Sequence, residues 1–149
     1  MSTRANVVLT ESYTYKAGNG RQVSKTDKVY FYRHHDGYPE TVLPDLLKLT
    51  DWCKRGLIRN NVQQGGPWLI LIGAMEYNTI PAYQVVEKYG DVSTFEDPKD
   101  WKCGAYELTN GIHGDAEYLY NIDMRTLEIK VQAVSYDEHG KQSFIDIEI

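Results

Sequence analysis

The sequence predicts an α+β fold, a mostly antiparallel sheet with two or more helices packed on one face. Three observations predict it. Alternating, β-rich segments stand at both ends of the chain, helical segments stand between them, and turn residues punctuate each step. At 149 residues the chain is expected to form a single domain with a sizeable core.

The first strand is expected over residues 6–15, where Val7, Leu9, Tyr13 and Tyr15 share one parity. Lys16 to Gly20 is a turn, and Asn19-Gly20 is a strong hairpin signal. A second strand over about 26–33 carries Val29, Tyr30, Phe31 and Tyr32. Asp36-Gly37-Tyr38-Pro39 ends it, with Gly37 expected at positive φ.

A helix is expected from near Thr41, the candidate N-cap, with Pro44 tolerated in its first turn. Leu43, Leu46, Leu47 and Leu57, with Cys53 between, form its expected apolar face, and Gly56 its C-terminal stop. After a polar loop over 60–66, Gly66-Pro67 is expected to open a second helix over 67–77. Residues 81–89 read as a short helical or extended piece, and 91–102 as a loop with Pro98. Three alternating runs then predict an antiparallel meander. They are Tyr118, Tyr120 and Ile122; Leu127, Ile129, Val131 and Ala133; and Ile145, Ile147 and Ile149. Asp123 to Thr126 and Asp137 to Gly140 supply the turns between them.

Composition bounds the function. The net charge of -5 argues against direct binding of duplex nucleic acid, which needs Lys and Arg at phosphates. No apolar run reaches membrane-spanning length and no apolar leader opens the chain, so the expected setting is cytoplasmic, without a membrane partner. Cys53 and Cys103 are expected to be reduced thiols, with Cys53 inert on its helix. Twelve tyrosines suit half-exposed strands or a recognition face.

Two turn-like segments carry the candidate site. One is Arg33-His34-His35-Asp36-Gly37-Tyr38-Pro39 and the other is Gly111-Ile112-His113-Gly114-Asp115. Binding is assigned to His34, His35, Asp36, Tyr38, His113 and Asp115, and no residue is assigned to catalysis. His and Asp are acceptable ligands for Zn, Mn or Fe, but this spacing matches no standard metal motif, so no metal or cofactor is expected. Adjacent His34 and His35 on an extended chain would point to opposite faces, barring a bend. If the two turns form one surface, the strand ending at Arg33 should lie antiparallel to the strand starting at Glu117, or be brought near it by a helix. Gly65-Gly66-Pro67-Trp68 would be an anion site only as a helix start, and it lacks the phosphate-loop pattern.

Thr3-Arg4, the strand pair and Asp36-Gly37-Tyr38-Pro39 running into a helix carry a resemblance. So do Trp101, Tyr106-Glu107-Leu108-Thr109, Ile112-His113-Gly114-Asp115, Glu117-Tyr118-Leu119-Tyr120 and Ile122-Asp123. Together they resemble a set of small uncharacterised proteins of bacteriophages, prophages and bacterial genomes. The resemblance implies a mobile-element context and no mechanism. The expected function is a small non-enzymatic binding protein that acts on a host protein or host defence component, with a small-molecule ligand as a further partner class. The alternatives are a metal- or nucleotide-dependent enzyme or sensor using the His/Asp cluster, and a structural protein assembled through the edge strand Phe144–Ile149.

Overall fold

The computed structural model describes residues 2–77 and 104–149. The expectations for 81–89 and 91–102, and for Cys103, lie outside these residues. The described elements run β1 (Ala5–Lys16), β2 (Gln22–Arg33), α1 (Pro39–Lys54), α2 (Val62–Tyr77), β3 (Glu107–Thr109), β4 (Tyr118–Asp123), β5 (Ile129–Tyr136) and β6 (Gln142–Ile147).

The six strands form one sheet in the order β3-β2-β1-β4-β5-β6. The fold is α+β, and the sheet is mixed. Every neighbouring pair is antiparallel except β1 and β4, which run parallel with Ala5 opposite Tyr118 and Leu9 opposite Ile122. The expected C-terminal meander is present as β4, β5 and β6. Periodicity reports only which face a residue takes, so it left the direction of β4 against β1 open.

The strand members of the core share one face of the sheet. Val7 and Leu9 of β1, Phe31 of β2, Tyr120 and Ile122 of β4, and Val131 of β5 lie across from one another in register. Val42, Leu46, Leu49 and Cys53 of α1, with Val62, Leu69 and Ile72 of α2, belong to the same cluster. Each large aliphatic side chain fully buried there is worth about 1.5–3 kcal/mol.

Both helices begin earlier than expected. Tyr38, not Thr41, is the N-cap of α1, and Pro39 opens the helix with its preset φ. Pro44 therefore sits past the first turn, where it has no amide to offer the Glu40 carbonyl. The buried face is Val42, Leu46, Leu49, Thr50 and Cys53, while Leu47 and Leu57 are exposed. Gly56 does stop the helix. It takes φ 72°, its amide reaches the Cys53 carbonyl, and the Leu57 amide reaches that of Trp52.

Helix α2 starts at Val62, five residues before Pro67. Asn61 caps it, its Oδ1 accepting the Gln64 amide at 2.8 Å, and the buried Glu11 carboxylate accepts the Val62 amide at 3.2 Å. Gly65 and Gly66 are thus helical and do not form an anion-binding opening. A Cβ on Gly65 would come within 2.7 Å of Met124 Cε, so the missing side chain lets α2 approach the sheet. Leu127 lies in the turn before β5 at φ 64°, outside the strand to which the alternation assigned it.

Candidate functional site

The two His/Asp turns meet at one end of the sheet, and neither proposed adjacency brings them there. β2 and β4 are not neighbours, because β1 runs between them, antiparallel to β2 and parallel to β4. Ala5 therefore faces Arg33 on one side and Tyr118 on the other. The end of β2 and the start of β4 flank the start of β1. Two backbone bonds fasten the turns to it: the Gly37 amide donates to the Thr3 carbonyl at 2.9 Å, and the Glu117 amide to that of Arg4 at 2.8 Å.

Tyr32 is the centre of contact. It lies on the face opposite Phe31, in register with Asn6. The His113 ring stacks on it at 3.8 Å between centroids and 11° between planes. Its hydroxyl pairs with His34 Nδ1 at 2.9 Å. The His34 and His35 rings stand edge to face at 4.5 Å, so the chain bends after Arg33 and the two histidines share a side. His35 Nδ1 meets Ser2 Oγ at 2.6 Å, and His113 Nε2 meets Thr109 Oγ1 at 3.0 Å. All three histidines thus engage a ring nitrogen with a hydroxyl.

Asp115 is held by Arg4, whose Nε lies 3.1 Å from Oδ2. The contact is an ion pair without hydrogen-bond alignment, and with both side chains part-exposed it is worth under about 1 kcal/mol. Burial first, and then the Asp115 carboxylate, push the Tyr32 hydroxyl above its ordinary range, opposed by the Arg4 guanidinium. Asp36 and Tyr38 stand apart from this contact set. Asp36 supplies the positive φ of the turn, at 54°. Tyr38 is 44% exposed, its ring 6.3 Å from Tyr118 on the other side of the strand end.

Gly37 is not at positive φ, contrary to expectation. Its role is close approach. A Cβ there would sit 2.8 Å from the Ala5 Cβ and 2.8 Å from the Thr3 carbonyl oxygen. The buried Tyr120 hydroxyl donates to its carbonyl at 2.7 Å.

The second turn is held by Asn6, fully buried in the apolar run of β1. Its Nδ2 donates to the Phe31 carbonyl at 2.9 Å and the Gly111 carbonyl at 3.4 Å, and its Oδ1 accepts the His113 amide at 2.8 Å. Gln142 Nε2 adds a bond to the His113 carbonyl at 2.8 Å. Asn6→Ala strands two carbonyls and an amide, and is expected to cost about 2 kcal/mol. Urea unfolding measures that cost. Hydrogen exchange at His113 should rise in step, and unchanged exchange there would contradict the clamp.

Beneath the first turn, the fully buried Arg33 faces Asp45 of α1, with Nη1 3.5 Å from Oδ2. Its Nε donates to the His35 carbonyl at 2.7 Å, and its guanidinium lies 5.1 Å from the Tyr106 ring centroid. The Tyr106 hydroxyl completes the set, donating to Asp45 Oδ2 at 2.7 Å. Burial, with the nearby Asp45 carboxylate, holds that phenol far above its ordinary pKa.

Sequence reading missed Ser2, Arg4, Asn6, Tyr32, Asp45 and Tyr106. A signal existed for Asn6, a polar residue inside Ala5–Leu9, and for Tyr32, which shares the parity of His34. Cys53 is buried, which pushes its thiol up and leaves it a poor nucleophile. Among the described residues, no three His, Cys, Asp or Glu side chains converge in a geometry that would hold a metal ion, and no helix is long and apolar enough to cross a membrane. Compared with protein-family models, curated proteins and solved structures, the chain matches none of them.

Proposed function

We propose that this chain is a small non-enzymatic binding protein, encoded by a phage or other mobile element, that acts on a host protein in the host cytoplasm. The observation that carries this reading is the convergence of the two turns on one preorganised surface. His34, His35, Asp36, Tyr38 and Asp115 are exposed, while the backbone beneath them is tied by the buried Asn6, Arg33 and Tyr120. Polar and aromatic side chains on a backbone already ordered lose little freedom on binding, which suits recognition. The histidine nitrogens engaged by Tyr32, Ser2 and Thr109 favour a presented surface over a metal centre. The same reading places both helices over one face of the sheet, supported by their shared core cluster with β1 and β4.

The test is capture from a bacterial host, followed by reconstitution of the captured protein with the purified chain. A one-to-one complex is expected, and His34→Ala with Asp115→Ala should weaken it at least about tenfold without changing Tm. Equal affinity in the variant removes the surface from the proposal. About one Zn or Mn per chain, lost in His113→Ala, replaces it with the metal-dependent alternative.

One feature favours assembly as a second reading. Ile145 and Ile149 are 58% and 68% exposed on or beside the outermost strand β6, which offers an unpaired edge among the described residues. A solution mass at a multiple of 17.1 kDa, reduced to the monomer by Ile145→Lys, is the expected sign of it.

A further inference from the structure

The β1–β2 hairpin outruns the sheet. β4 pairs with β1 only over Ala5–Thr10, and β3 with β2 only over Tyr30–Tyr32. Beyond them, Glu11–Lys16 and Gln22–Asp27 pair only with each other among the described residues. The result is a two-stranded arm whose tip lies about 35 Å along the strand from the site end. The arm is ordered by its own bonds. Ala17 and Arg21 close a three-residue loop, the Ala17 amide donating to the Arg21 carbonyl at 2.9 Å, and Ser12 Oγ meets Thr26 Oγ1 across the strands at 2.9 Å.

Its charge is opposite to that of the rest of the chain. Glu11–Asp27, the span of the arm, holds three basic residues, Lys16, Arg21 and Lys25, and two acids, Glu11 and Asp27, for a net +1, with Lys28 at its base. The whole chain is -5, so the remainder carries -6. All four basic side chains are exposed, and none forms an ion pair with a described residue. Lys25 lies on the same face as Tyr13 and Tyr15, Lys16 and Lys28 lie on the other, and Arg21 is at the tip. Tyr15 is 47% exposed. The Tyr13 and Tyr15 rings stand 6.3 Å apart and tilted by 31°, two successive platforms on one strand.

We propose that this arm binds single-stranded nucleic acid, with Tyr13 and Tyr15 stacking successive bases, and with Lys25 on their face and Lys16 and Arg21 at the tip contacting phosphates. Aromatic platforms flanked by cations are the chemistry that holds a flexible strand without reading its sequence. A duplex keeps its bases stacked on each other and offers nothing to those rings. Its denser charge would also meet the acidic body of the protein. An acidic protein surface would engage the lysines but has no need of two ring faces in register.

The experiment is fluorescence anisotropy of the intact chain with fluorescein-labelled oligo-dT and oligo-U of fifteen nucleotides, and with a duplex of equal length. Binding to both single strands is expected, with a log–log salt slope of about -2 to -3. Tyr13→Ser with Tyr15→Ser should weaken it about tenfold or more at unchanged circular dichroism, and Tyr15→Trp should retain it with fluorescence quenching. Three results would each overturn the proposal: no binding at low salt, a duplex bound as tightly as the single strands, or a serine pair that binds like wild type. Self-association that Lys25→Glu abolishes, in a chain that ignores the oligonucleotides, would assign the arm to an acidic protein surface instead. His34→Ala should leave oligonucleotide binding intact, which keeps this test independent of the site at the sheet end.

Discussion

An Arg33→Met variant is expected to lose about 3–5 kcal/mol of stability in urea unfolding, because it removes the buried cation that faces the Asp45 carboxylate in a nearly closed site. That is a large fraction of the 5–15 kcal/mol that holds an ordinary domain together. The same change removes the bond from Nε to the His35 carbonyl, so the first turn should loosen as the core weakens. The double variant Arg33→Met with Asp45→Leu separates the two effects. It removes the facing carboxylate as well, and it should regain most of the loss while His35 stays mobile by hydrogen exchange. If the double variant is no more stable than Arg33→Met alone, the cost lies in packing and not in the charge.

Gly37→Ala is expected to cost about 1–3 kcal/mol, although alanine fits the backbone angles there. The added carbon would collide with the Ala5 Cβ and the Thr3 carbonyl, both on the first strand. Backbone cannot swing aside as a long side chain can. The turn must lift off β1, and in doing so it stretches the bonds from the Gly37 amide to Thr3 and from the Tyr120 hydroxyl to the Gly37 carbonyl. A matched Gly18→Ala, where nothing lies within 4 Å of the new carbon, should be near neutral. Equal effects at the two positions would mean that conformational entropy, and not contact, is what glycine supplies at position 37.

Much of the strand content was legible because burial alternates with a period of two. Tyr118, Tyr120 and Ile122, and Ile129 and Val131, take the face their spacing assigned. Gly56 was legible because a left-handed residue ends a helix in a recognisable way. Helix starts were less so. Pro44 and Pro67 both read as first-turn residues, yet each sits deeper, because tertiary packing of Leu46 and of Gly65 outweighs one missing hydrogen bond. Whether His34, His35, His113 and Asp115 share one surface was left open by the sequence; contacts through Tyr32 and Arg4 bring their two turns to one end of the sheet. The strand that joins the two turns is β1, whose contribution is backbone and a buried Asn6, and neither carries a local pattern. Arg33 was legible only as the end of the second strand; the fold sets Asp45 and Tyr106 against its guanidinium.

The interposition of β1 also sets an order of events during synthesis. Of the described strands β1 is made first, and β2 can pair with it almost at once. Its other edge, Ala5–Thr10, waits for Tyr118–Asp123, about 110 residues later. At ribosomal speeds of about 5–20 residues per second, that edge stands open for roughly 5–20 s. It includes Ala5, Val7, Val8 and Leu9, all buried in the finished sheet. Nascent chains arrested before residue 118 should therefore bind chaperones through this segment, and release should coincide with the emergence of β4 from the exit tunnel.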